Sequence, residues 1–91
     1  HGTATPNNDL SESVAVKTVF EGNIPPFSST KSMTGHTLAA SGSVEAVLSV
    51  LAINNGWLLP NLNFKTPIEE TGLVPNTVLT KGYNIQHILS N

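Results

Sequence analysis

The sequence contains no cysteine, so neither a disulfide bond nor a thiolate nucleophile can come from these residues. Charged residues make up only 11% of the 91 positions, and the formal net charge is −2. No basic stripe is present of the kind that predicts nucleic-acid binding. Because the surface of a free-standing small domain usually carries more charge, the composition indicates that other protein covers much of this chain.

The longest apolar run extends from Thr37 to Ile53. It is shorter than the roughly 20 residues that a membrane-spanning helix needs, and it contains Glu45, so no membrane span is predicted. Apolar residues occur nearly all round the predicted helix, which is typical of a helix buried on most faces. A buried carboxylate needs a partner, and the candidates nearest to Glu45 in sequence are Lys31 and His36.

The segment before this helix carries Lys31 and brings His36 to the helix start. The positive end of a helix dipole disfavours imidazolium, and a lysine folding back would do the same. We therefore expect His36 to be neutral, able to donate a hydrogen bond to a developing oxyanion without losing a proton.

Three further elements follow from local patterns. Asp9 and Glu12 have the spacing of a capping box, which predicts a helix from Leu10 to Phe20. Short strands are predicted over Phe27–Thr30 and, from alternating apolar residues, over Tyr83–Leu89.

Two motifs together resemble the β-ketoacyl-acyl-carrier-protein synthases of the thiolase superfamily. The first is His-Gly-Thr-Ala-Thr-Pro-Asn-Asn-Asp at residues 1–9. The second combines Ser-Thr-Lys-Ser-Met-Thr-Gly-His at 29–36 with Ala-Ala-Ser-Gly-Ser-Val-Glu-Ala at 39–46. The likeness covers residues 1–91, without the nucleophilic cysteine of the N-terminal half. It implies part of the C-terminal half of a layered αβαβα fold, in the α/β class and incomplete on its own.

The resemblance also implies a site. His1 and His36 match the two donors that stabilise the enolate formed when malonyl-carrier protein loses carbon dioxide. Lys31 matches the family's active-site lysine, which orders the network around His36, and Glu45 matches its acidic partner. Thr3 and Thr5 match hydroxyls that bind the phosphopantetheine arm, and alternate residues of an extended segment would face the same way.

The implied activity is decarboxylative Claisen condensation in fatty-acid or polyketide-like synthesis, with the fragment inactive alone. The implied partners are acyl carrier protein, the N-terminal half of the same synthase and a second copy in a homodimer. Neither nucleic acid nor membrane is expected, and the location is the cytoplasm. No cofactor or metal is expected beyond the carrier's phosphopantetheine. The alternative is a catalytically silent partner subunit resembling a chain-length factor, which an upstream cysteine would exclude. His87 matches no motif, and no chemical role is expected for it.

Overall fold

The computed structural model describes residues 1–91. It contains three α-helices and one short 3-10 helix joined by long loops: α1 (Asn8–Phe20), α2 (Lys31–Thr34), the 3-10 helix (Leu38–Ala40) and α3 (Ser41–Asn55). The one β pairing is an isolated antiparallel bridge between Leu58 and Thr80. The layered sheet of the expected α/β fold is therefore not visible within these residues.

Both strand predictions are wrong for this chain. Phe27 uses its carbonyl for one hydrogen bond, accepted from Asn76 N–H at 2.7 Å, and no ladder follows. Tyr83 likewise donates its N–H to the carbonyl of Gly56 at 2.9 Å. An alternating sequence favours an extended backbone, but a strand also needs a neighbouring strand, and the chain supplies none to either segment.

Helix α1 begins at Asn8, two residues before the predicted start, and ends at Phe20 as predicted. The capping box is wrong, because the N-cap is Asn7 and no side chain caps the helix. Glu12 is engaged elsewhere, since its carboxylate accepts hydrogen bonds from the backbone before the helix.

Helix α3 occupies most of the predicted Thr37–Ile53 segment, but its first turn is the 3-10 helix and it continues to Asn55. Gly56 ends the helix in the left-handed conformation, with φ of 65°. A Cβ at this position would lie 2.7 Å from the carbonyl oxygen of Tyr83, so only glycine fits both the backbone angle and the close approach.

The burial expected for α3 is not found in this chain. Ala52 is its only buried residue, whereas Val47 and Val50 are 60% and 56% exposed. No other helix packs against α3 beyond the 3-10 turn that precedes it. The chain exposes 6290 Å², compared with roughly 5,000 Å² for a folded monomer of this length.

By length and composition alone, Leu38–Asn55 would be apolar enough to cross a membrane, with a mean hydropathy of 1.2. Such a segment is also typical of a core helix in a larger protein. The charge of Glu45, which lies within this segment, is already paired with Lys31 of the same chain.

Candidate functional site

The site begins with a tight turn at His1 and Gly2. Gly2 has φ of +63°, and a Cβ there would overlap the side chain of Ser29. The Ser29 hydroxyl donates to the carbonyl of His1 at 3.2 Å, while Gly2 N–H donates to a carboxylate oxygen of Glu12 at 3.1 Å. The backbone beside the His1 ring is therefore held from two sides.

Glu12 gathers more hydrogen bonds than any other carboxylate in the chain. It also accepts from the backbone nitrogen of His1 and from the side-chain amides of Asn8 and Asn91, the latter two at 3.1 Å. Partial burial opposes its ionisation, but the hydrogen bonds from the His1 amino group, Asn91 and Gly2, together with the positive charge of that amino group, lower the pKa of Glu12 to about 2. Sequence reasoning missed this role, because the local pattern around Glu12 is indistinguishable from a helix cap.

Lys31 and Glu45 form an ion pair, as the buried-charge argument required. The lysine side chain is only 6% exposed and the glutamate side chain 17%. The hydrogen bond from Lys31 holds the pKa of Glu45 below its usual range, and Ser90 donates to the second carboxylate oxygen at 3.3 Å. Of the two partners left open for Glu45, the structure selects Lys31, and no hydrogen bond joins Lys31 to His36.

His36 lies in the loop between α2 and the 3-10 helix, with its Nδ1 turned toward the helix start. Leu38 N–H donates to Nδ1 at 3.3 Å, and the Ser41 hydroxyl lies 2.8 Å from the same atom. Because an N–H donor requires a lone pair, the hydrogen-bond pattern assigns an unprotonated Nδ1. The proton of the neutral ring is then on Nε2, which makes no hydrogen bond within the chain.

The loop reaches this geometry through an unusual backbone conformation. Leu38 has φ of 52°, in the left-handed region, which costs a non-glycine residue about 1–2 kcal/mol. Strained residues of this kind cluster at functional sites. In this conformation, the Leu38 N–H donates a hydrogen bond to His36, two residues earlier in the chain.

The two motif histidines meet although they stand at positions 1 and 36 of the sequence. Their ring centroids are 5.5 Å apart, and the planes are nearly perpendicular at 86°. Both residues are exposed in this chain. Two neutral imidazoles at this separation can direct ring N–H groups at one oxygen atom, which is the arrangement that an oxyanion requires.

The predicted arm-binding threonines lie beside His1 but are not on a regular extended segment. Thr3 is half-buried and Thr5 is exposed. Ala4 between them has φ of 56°, so strand alternation does not place both hydroxyls on one face. The expectation of a shared face is wrong, and the binding role of the two threonines stays a prediction.

Comparison with known proteins identifies the family of the chain. Residues 1–65 match the family model described as the beta-ketoacyl synthase C-terminal domain. The whole chain is 42% identical to 3-oxoacyl-acyl-carrier-protein synthase 1 of Haemophilus influenzae and 35% identical to that of Escherichia coli. It is also 41% identical to 3-oxoacyl-acyl-carrier-protein synthase 2 of Staphylococcus aureus.

The chain spans about a quarter of the length of these relatives, 23%, 22% and 23% respectively. The aligned segment includes both histidines, Lys31 and Glu45, since the alignments cover 100% of the chain. The chain therefore belongs to the β-ketoacyl synthase family, whose C-terminal domain is thiolase-like.

Proposed function

We propose that this chain is the oxyanion-stabilising portion of a condensing enzyme of fatty-acid or polyketide-like synthesis. The observation that carries the proposal is the meeting of His1 and His36, with the Nε2–H tautomer of His36 left free. The relatives are named as synthases that act with acyl carrier protein, which supports the same substrate carrier here.

In the proposed reaction, an acyl group first forms a thioester with a cysteine outside this chain. Malonyl-carrier protein then loses carbon dioxide as the bond to its carboxylate breaks, and the electron pair passes into an enolate. His1 and His36 donate hydrogen bonds to the enolate oxygen without giving up a proton. The enolate carbon attacks the acyl thioester, forms the new carbon–carbon bond and expels the cysteine thiolate.

Lys31 and Glu45 do not contact the reacting atoms in this scheme. The pair lies between α2 and α3 and fixes the two ends of the loop that carries His36. We assign them positioning roles, and Thr3 and Thr5 are proposed to bind the amides of the phosphopantetheine arm. No cofactor or metal enters this scheme apart from that arm.

The exposed apolar side of α3 supports a location inside a larger protein rather than in a membrane. Glu45 lies on the same helix, and its charge is paired with Lys31 of this chain. The exposed valines of α3 are proposed to pack against the N-terminal half of the synthase. A cytoplasmic homodimer without nucleic-acid contacts completes the proposal.

The test uses the full-length synthase and follows two steps separately. Carbon dioxide release from malonyl-carrier protein measures decarboxylation, and mass spectrometry measures acylation of the cysteine. His1→Ala and His36→Ala should each slow decarboxylation by about 10²–10³-fold, the usual cost of one preorganised donor, with acylation less affected. His87→Ala is the matched control, since His87 is exposed and makes no hydrogen bond, and should stay within a few fold.

Loss of acylation with normal decarboxylation in His36→Ala would contradict the donor role and make His36 the base that activates the thiol. The alternative is a catalytically silent partner subunit. It predicts no β-ketoacyl product from the wild-type protein and no cysteine at the strand-to-helix turn upstream. Retention of both histidines and Lys31 favours the enzyme.

A further inference from the structure

Ser41 is the first residue of α3, and its hydroxyl contacts three groups of the His36 loop. Its oxygen lies 2.8 Å from His36 Nδ1, accepts Thr37 N–H at 3.0 Å, and lies 3.3 Å from Thr37 Oγ1. With the Leu38 N–H, four donor groups converge on two acceptor atoms, His36 Nδ1 and the Ser41 oxygen.

The Leu38 N–H cannot change its role, since a backbone amide only donates. It points at His36 Nδ1, so Nδ1 is an acceptor. The Ser41 hydroxyl has a single proton, and its nearest acceptor is the same nitrogen. Its oxygen lone pairs are then free for the Thr37 N–H and the Thr37 hydroxyl. In this assignment the Leu38 N–H and the Ser41 hydroxyl share the lone pair of Nδ1, and the two Thr37 donors each have a lone pair of the Ser41 oxygen.

We propose that Ser41 is a positioning residue that donates its proton to His36 Nδ1 and thereby fixes the tautomer with hydrogen on Nε2. Leu38 N–H alone lies at the long end of the hydrogen-bond range, at 3.3 Å. Ser41 supplies the shorter contact and, because it starts a 15-residue helix, a rigid one. The ring is thereby held in both orientation and proton position, and its remaining N–H makes no hydrogen bond within the chain.

The catalytic consequence rests on the proposed function, whereas the tautomer does not. Without the Ser41 proton, the ring would retain one long hydrogen bond and would rotate and exchange tautomers more freely. A neutral hydrogen bond of this kind contributes modestly, so decarboxylation should fall about 3- to 10-fold in Ser41→Ala. Acylation of the cysteine should change less.

The experiment uses the full-length synthase labelled with ¹⁵N-histidine, at a pH where His36 is neutral. In the wild-type protein, the proton should be found on His36 Nε2, and the Nδ1 resonance should show the shift of an acceptor nitrogen. Ser41→Ala should move that resonance toward the position of a free lone pair, and Ser41→Thr, which keeps the hydroxyl, should restore both the resonance and the rate. Ser43→Ala removes an exposed hydroxyl without a hydrogen bond from the same helix turn and should change neither.

A proton on Nδ1 of the wild-type protein would overturn the proposal without any variant. So would an Nδ1 resonance that is the same in Ser41→Ala and wild type, or a rate that Ser41→Thr fails to restore. A wild-type protein that releases no carbon dioxide but shows the expected resonances would remove the proposed function and leave the assignment of Ser41 intact.

Discussion

The hydroxyl of Ser29 donates a hydrogen bond to the carbonyl oxygen of His1, 3.2 Å away. The same oxygen atom of Ser29 accepts the N–H of Lys31 at 3.4 Å. One side chain therefore joins the first motif to the second, and it explains how residues far apart in sequence come to form one site.

The contact between Gly2 and Ser29 leads to the first prediction. Gly2→Ala introduces a Cβ where the Ser29 side chain lies, at a φ of +63° that alanine adopts poorly. We expect a loss of about 1–3 kcal/mol in the free energy of unfolding and a displaced His1. Chemical denaturation of the protein and its variant measures the first effect.

Gly82→Ala is the matched control for strain alone, since Gly82 has φ of +74° and a Cβ added there would meet nothing within 4 Å. We expect Gly82→Ala to have a lower free energy of unfolding because alanine adopts this backbone angle poorly. Its rate of decarboxylation should be normal. Equal catalytic loss in both variants would show that the Gly2–Ser29 contact does not position His1.

The Lys31–Glu45 pair should make stability depend on pH. The pKa of Glu45 is lowered in the folded protein by the hydrogen bond from Lys31. The folded state is therefore stabilised at pH values above the ordinary glutamate pKa, and this contribution is lost as the pH falls through the lowered value. The difference in unfolding free energy between the wild type and Glu45→Gln should be largest near neutral pH and should shrink below about pH 4.5.

Measuring a difference between two proteins isolates Glu45 from the other carboxylates. Glu12, whose pKa is lowered to about 2, is present in both and cancels. A difference that does not change between about pH 7 and pH 3 would contradict the ion pair as a source of stability.

Asn76 should matter for stability rather than for chemistry. Its side-chain amide donates to the carbonyls of Leu58, Leu59 and Val78 at 3.1, 3.0 and 2.8 Å. Asn76→Asp replaces the donor with an acceptor facing three carbonyls, and we expect a loss of about 1–3 kcal/mol in the free energy of unfolding. Denaturation at neutral pH tests this, with Asn84→Asp as control, since Asn84 is exposed and its side chain makes no hydrogen bond. Similar losses at both positions would exclude the amide network as the cause.

The isolated 91-residue chain should not catalyse condensation, because it contains no cysteine. Incubated with acyl- and malonyl-carrier protein, it should give no β-ketoacyl product above a control without protein. Product formation would show that the nucleophile lies within these residues.

The exposed apolar residues of α3 should also make the isolated chain self-associate, which sedimentation can measure.

The sequence predicted the ion pair better than it predicted the strands, for a physical reason. A charge on an apolar helix demands a counter-charge wherever it is buried, so Lys31 could be named in advance as a candidate partner of Glu45. A strand depends on neighbours that the alternating pattern of Tyr83–Leu89 does not specify, and the chain contains no second strand to pair with it. The interpretation of Glu12 as a cap failed because local spacing cannot reveal that the carboxylate binds the backbone at His1 and Gly2.

Two unfavourable features coincide at Leu38. Its backbone has a φ of 52°, and its apolar side chain is 77% exposed. Neither is compensated within the chain, yet the Leu38 N–H is one of the two groups that orient His36. A surface that covers the leucine would stabilise this loop conformation, so occupation of that surface and alignment of the histidine are expected to be thermodynamically coupled.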